Sequence, residues 1–274
     1  MRNDSRSSRI QVLVAEQAAR RGAPVGVVDV CTAAVAALPV GGAGVSAMSG
    51  NTASHPLCGS DDISEQLEEL QLTLGEGPCL DAFTHGSAVL SPDLLTGALQ
   101  DRWPVFADAA LEAGARAVFA LPLQIGAISP GVLDLYADVP TVLDPEELAD
   151  ALAFADLATL LLLDARIDET GTRIDETGAR AGASGARAGA SGARAGASSP
   201  DHGFEDLGGY RAEIDQATGI LTVQLGVGID EAFVRLRAHA YMQGRRLADV
   251  AADVVAHRLR FSPDSEPERT DNGN

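Results

Sequence analysis

The chain has 274 residues, a net charge of −19 and a hydrophobic share of 46%. That share excludes disorder over the whole length, and the length makes two domains the first expectation. The acidity argues against nucleic-acid binding by the chain as a whole, but the charge is uneven. All twenty basic side chains are arginine. From Gly22 to Ala165 two arginines, Arg102 and Arg116, stand against twenty carboxylates, so this stretch carries −18. From Phe204 to Phe261 seven arginines meet eight acids, and a nucleic-acid surface belongs there if anywhere.

The opening MRNDSRSSR is polar and has no apolar core at signal-peptide spacing. The apolar run Leu160–Leu163 is bounded by Asp156 and Asp164, far short of the roughly 20 residues of a membrane span. A cytoplasmic protein with no membrane contact is expected. Residues 1–23 form an N-terminal tail or helix, with 9–20 helical. A second helix, 26–37, places Val27, Val28, Cys31 and Val35 near one face. Residues 43–49 alternate like a strand. Residues 62–72 predict a helix with Ile63, Leu67 and Leu70 inward and Glu65, Glu68 and Glu69 outward. A short strand at 88–90 and a helix from Trp103 to Glu112 follow. Strands at 117–124 and 132–136 flank a GAISPG turn, and a long apolar helix covers 145–165. Strands bracketed by terminal helices predict an α+β domain with an antiparallel sheet.

The run LGEGPCLDAF, AVLSPDL, RWPVFADAALEAGARAVFALPLQIGA and GVLDLY resembles the GAF domains of actinobacterial regulators. The resemblance spans residues 24–165. It implies a sensory domain with a central antiparallel sheet, flanking helices and a small-molecule pocket on one face. Within it Trp103, Phe119, Asp134 and Tyr136 are the candidate ligand-binding residues, although the three aromatics are also the obvious material for the core, which is the favoured use. Asp134 either faces a ligand or lies on the solvent side of its strand. With two arginines and no lysine, this domain is poorly equipped to hold a phosphate.

Three cysteines without paired spacing and five scattered histidines give no metal motif, and no cofactor is expected. Cys31, Cys58 and Cys79 are expected as free thiols. Pro78 suits the first turn of a helix and puts Cys79 near a helix N-terminus. Such a thiol is either activated for redox sensing or simply buried.

Residues 166–200 are five heptads in register: RIDETGT, RIDETGA, RAGASGA, RAGASGA, RAGASSP. The last three copies offer no large side chain for a coiled-coil seam. Residues 166–203 are therefore expected to be a flexible tether, and 262–274 a disordered tail.

Residues 204–261 predict three short helices. Ile214, Ala217, Leu221 and Leu225 line the first, and Gly226 and Gly228 end it. Ala232, Phe233, Leu236 and Ala240 line the second. Leu247, Val250, Ala251, Val254, Val255 and Leu259 line the third, taken to run to about Leu259. The shared core is thin, of a kind that a partner subunit often completes. Arg235, Arg237, His239 and Gln243 project from helix two, and Arg245 and Arg246 open helix three. A helix N-terminus flanked by two arginines suits phosphate; ion pairs to Asp249 and Asp253 are the competing use of the same side chains.

Ala217-x-Gly219-Ile220-Leu221, Asp230-Glu231-Ala232-Phe233-x-x-Leu236-Arg237-x-x-Ala240 and Arg246-Leu247-Ala248-Asp249-Val250-Ala251 resemble an ANTAR domain. The resemblance implies binding to RNA hairpins in nascent transcripts and prevention of termination, usually by a homodimer. It assigns RNA contact to Thr218, Gly219, Arg237, His239, Arg245 and Arg246. Many members carry Lys where Thr218 stands and a capping Ser where Gly228 stands. The expectation is a non-enzymatic, signal-responsive antiterminator under GAF control. The alternative is a protein-interaction or dimerisation regulator without nucleic acid.

Overall fold

The computed structural model describes residues 2–49, 53–179 and 207–262. Helices α1 (Arg2–Arg21) and α2 (Val27–Ala37) lead into strand β1 (Gly42–Ser49). Then come β2 (Ala53–Gly59), α3 (Asp62–Leu74), α4 (Pro78–His85) and β3 (Val89–Ser91). Helices α5 (Gly97–Arg102) and α6 (Phe106–Ala113) precede β4 (Ala117–Ile125), β5 (Ile128–Ala137) and α7 (Pro145–Ala179). The C-terminal helices are α8 (Leu207–Leu225), α9 (Ile229–Met242) and α10 (Leu247–Val255). The strands form one antiparallel sheet in the order β2-β1-β5-β4-β3.

Period-2 alternation sorts the two central strands between two cores. Ala117, Phe119, Leu121 and Leu123 of β4 and Leu133, Leu135 and Ala137 of β5 meet α1, α2 and α7 on one face. Val118, Ala120, Val132 and Tyr136 meet α3, α4 and α6 on the other. A sheet covered on both faces needs apolar side chains at successive positions, which is why AVFALPL is continuous rather than alternating. Pro122 is accommodated because β3 pairs only with Val118–Ala120, leaving that edge of β4 open further along.

Several expectations are corrected. Strand β2 was not anticipated, since ASHPLCG has little β-branched content. The helix placed at Trp103–Glu112 begins only at Phe106, and an unanticipated short helix, α5, ends before it, because Pro104 drives the preceding Trp103 out of the helical region, to φ −132° and ψ 73°. Glu68 is buried, not outward, because α3 is covered on more than one side. Helix α7 continues to Ala179 through the first two heptads; the rest of the tether, 180–203, lies outside the described residues, as does the tail from 263. Cys31 and Cys58, expected as free thiols, form a disulfide between α2 and β2, leaving Cys79 as the free cysteine. Their separation of 27 residues gave no spacing signal. Among the described residues no single helix is long and apolar enough to cross a membrane.

Candidate nucleic-acid interface

Glycines punctuate the C-terminal helices. Gly226 (φ 67°) closes α8 and Gly244 (φ 59°) closes the α9 turn. Ile214, Ala217 and Leu221 pack against Ala232, Leu236 and Ala240 and against Leu247, Val250, Ala251 and Val254. Helix α10 stops at Val255, before the expected Leu259, and His257 takes a positive φ of 58°. The chain then folds back so that Leu259 and Phe261 cover the core edge. One further buried side chain joins this core, and it comes from the sheet domain: Leu72 of α3. The thin core is completed within the same chain.

Helix α3 makes three more contacts with this module. Arg237 Nε donates to the Thr73 carbonyl at 3.0 Å, a helix-C-terminal acceptor that a cation suits. Burial lowers the Arg237 pKa, and its guanidinium also lies 5.5 Å from the Phe233 ring centre. Glu69 Oε1 accepts the Leu247 backbone N–H at 2.6 Å. Arg246, at the N-cap of α10, supplies no side-chain cap, so the Glu69 carboxylate caps that helix instead. Burial raises the Glu65 pKa, and the nearby Arg246 charge partly offsets the rise. A cleft of about 770 Å³ runs between α3 and α6 on one wall and the Ala240–Arg246 corner on the other. Glu69, Asp108 and Glu112 line its acidic side, and Arg245 and Arg246 its basic side.

The six residues assigned to RNA fall in different places. Arg245 and Arg246 share the cleft, but Arg245 is ion-paired to Asp253 at 2.7 Å and donates to the Asp249 carbonyl. Arg237 is turned into α3. Gly219 is exposed, with open space around it. Thr218 is buried, its hydroxyl donating to the Ile214 carbonyl at 2.7 Å, because it adjoins the Ala217–Leu221 stripe. The His239 ring packs on Phe261 at 4.9 Å, and its Nε2 is buried without a partner. Burial first, then the Arg245 charge, lowers its pKa, which favours the neutral ring. Glu69, Leu72 and Thr73 were missed by sequence reasoning. Their only signal was that α3 carries side chains fit for burial on more than one face.

The four candidate ligand residues do not converge on one cavity. Phe119 lies on the α1–α2–α7 face and the other three on the opposite face. Trp103 Nε1 donates to Asp81 at 3.0 Å and Tyr136 Oη to Asp61 at 2.5 Å. Asp134, 5% exposed, faces neither solvent nor an open pocket. It belongs to a buried polar cluster with Ser46, Glu68, Gln71 and Cys79. Gln71 Nε2 donates to Asp134 Oδ2 at 3.2 Å, and Gln71 Oε1 accepts the Cys79 N–H at 2.7 Å. The Ser46 hydroxyl donates to Glu68. A Cβ at Gly44 would stand 2.5 Å from Glu68 Oε1, so β1 must be bare there to admit the carboxylate. Burial pushes the Asp134 carboxyl up to about 6 and the Glu68 carboxyl well above its usual range. Burial, with the Asp134 and Glu68 charges, also raises the Cys79 thiol. The activated-thiol reading of Cys79 is thereby corrected: proximity to a helix N-terminus loses to burial among carboxylates.

The C-terminal helical module docks by its basic corner onto the acidic sheet domain, so the chain has two parts in contact. Residues 210–255 match the ANTAR domain family. The chain thus joins a five-stranded antiparallel-sheet domain to a helical module whose residues 210–255 match the ANTAR domain model. Similar solved structures include the GAF domain of a phosphoenolpyruvate-protein phosphotransferase from Acinetobacter, at 11% identity and TM-score 0.45, covering 62% of this chain and 98% of that one. The GAF domain of a phosphoenolpyruvate-protein phosphotransferase (ptsP) from Coxiella burnetii gives 14% identity and TM-score 0.44, covering 60% and 98%. A domain of a putative two-component sensor histidine kinase from Sinorhizobium meliloti 1021 gives 15% and 0.41, covering 53% and 92%. No curated protein matches the chain.

Proposed function

We propose that the protein is a cytoplasmic, signal-responsive regulator whose ANTAR module binds RNA hairpins in nascent transcripts and prevents termination. The observation that carries this reading is the carboxylate of Glu69 at the N-terminus of α10, beside Arg245 and Arg246. A helix N-terminus flanked by arginines is a phosphate site, and a carboxylate there occupies the place of a phosphate oxygen. The described conformation is then the silent one: the sheet domain holds the RNA-reading corner against its own acidic wall. Release of α9 and α10 from α3 frees Arg237 together with Arg246. Two released modules pair as a homodimer, since Leu72 no longer completes the core. The signal that drives release is a small molecule or ion acting on the GAF-like domain.

The test is binding of the purified chain to a short twin-hairpin RNA at low salt. Preference over a scrambled control, lost as salt rises, is expected. Equal binding to both sequences sinks the reading.

One observation favours the alternative of a protein-interaction module without nucleic acid. Val223, Val234, Tyr241 and Met242 are exposed on α8 and α9, with Val223 84% exposed. Such residues suit a protein partner. Capture of protein without any RNA crosslink in the native cell decides for it.

A further inference from the structure

The two arginines between Gly22 and Ala165 are both committed elsewhere: Arg102 pairs with Asp81 and Arg116 with Asp93, each on the protein's periphery. No described basic side chain is bonded to the buried cluster of Glu68, Cys79 and Asp134. The three residues are 1%, 0% and 5% exposed. One donor atom from each lies within 4.8 Å of the others. Asp134 Oδ1 has no hydrogen-bond partner of ordinary geometry, although its sister oxygen is held by Gln71 and the Glu68 and Cys79 side chains stand close enough to share protons with the carboxyl. Two carboxylates and a thiol packed this closely require a positive charge or shared protons.

We propose that Glu68, Cys79 and Asp134 bind a divalent cation of borderline softness, zinc first. Ligand atoms around tetrahedral zinc stand about 3–4 Å apart, so closure from the observed spacing needs side-chain shifts of an ångström or less. The donor set selects among metals. Calcium and magnesium require more oxygen ligands and open hydration, whereas a thiolate beside carboxylates suits zinc or cobalt. The outer partners are in place. Ser46 holds Glu68, and Gln71 orients Asp134 by its amide N–H and the Cys79 backbone by its carbonyl. A cavity of about 10 Å³ borders Gly44, Glu68, Gln71 and Asp134, which is room for one water as a fourth ligand and for no organic molecule. The ligands come from α3, α4 and β5, at positions 68, 79 and 134, so no sequence spacing announces the site. Metal entry displaces the protons that burial otherwise keeps on these groups, and the thiol binds as thiolate.

The test uses the full chain, stripped with a chelator and titrated with cobalt(II) while circular dichroism reports the fold. The expected result is one cobalt per chain with a near-ultraviolet thiolate-to-cobalt charge-transfer band, displaced by zinc. The band should persist in Cys31→Ser/Cys58→Ser, whose sulfurs belong to the opposite core, and vanish in Cys79→Ser. Asp134→Asn should weaken zinc binding by more than the roughly 10–100-fold that losing an outer partner costs. A folded wild-type chain that binds no cobalt overturns the proposal in favour of shared protons. A band that survives in Cys79→Ser overturns it as well. If Cys79→Ser unfolds, the wild-type and Cys31→Ser/Cys58→Ser titrations decide. RNA binding does not enter these readouts, so failure of the antiterminator reading leaves them unaffected.

Discussion

The guanidinium of Arg237 fills the space that a Cβ on Gly75 would need. Gly75 closes α3 in the left-handed region at φ 70°, so two independent demands fall on one glycine. Gly75→Ala should cost about 1–2 kcal/mol from backbone strain alone, and its methyl should expel Arg237 from the Thr73 carbonyl. The expected outcome is an undocked ANTAR module, seen as a larger radius of gyration in small-angle scattering with the sheet domain intact. An unchanged radius would show that the contact does not hold the domains together.

Glu69→Ala removes the carboxylate from the α10 N-terminus. A charge-assisted hydrogen bond of this kind contributes roughly 1.5 kcal/mol, so affinity for hairpin RNA should rise about tenfold. Gel-shift titrations of both proteins at one salt concentration check this.

Arg245→Ala with Arg246→Ala should weaken RNA binding for all hairpin sequences alike. It should also flatten the plot of log affinity against log salt by roughly 1.5. A loss confined to some sequences would make these residues base readers rather than phosphate contacts.

Leu72→Ala truncates a side chain of the sheet domain that is buried in the core of the other. The cost is expected near the low end of about 2–5 kcal/mol, and it should fall on the C-terminal helices. Hydrogen exchange should therefore accelerate in α8–α10 while β4 and β5 remain protected.

His239 supplies a pH dependence. Its folded-state pKa lies below the ordinary 6.5, so the unfolded chain binds more protons as pH falls through that value. Stability from the neutral ring, which faces Phe261 and the Arg245 charge, is present above about pH 6.5 and is lost below it. His239→Phe should remove that part of the dependence, measured as the difference between the two proteins' melting temperatures at pH about 7.5 and about 5.5.

The sheet was legible where hydrophobic periodicity is a local property. Val132, Asp134 and Tyr136 share a face as period 2 requires, and the glycine breaks of the C-terminal helices fell as expected. Non-local relations were not legible. Nothing near Glu68 in the sequence distinguishes it from Glu69. One residue of helix rotation sends the first to Ser46 under the sheet and the second to the α10 N-terminus. The family resemblance, in which many members carry Lys at this position, assigns Thr218 to RNA contact, yet in this chain it adjoins the buried stripe. The joining of Cys31 to Cys58 depends on how α2 lies over β2, which no spacing encodes.

Helix α3 is a party wall between the two domains. Glu68 and Gln71 serve one room, and Glu69, Leu72 and Thr73 serve the other. A message crossing it travels about the 10 Å thickness of one helix, whereas the covalent route passes through the repeats at 166–200. The first two repeats extend α7 as helix. In the proposed regulator, a signal that crosses α3 does not depend on how many further copies of the repeat follow.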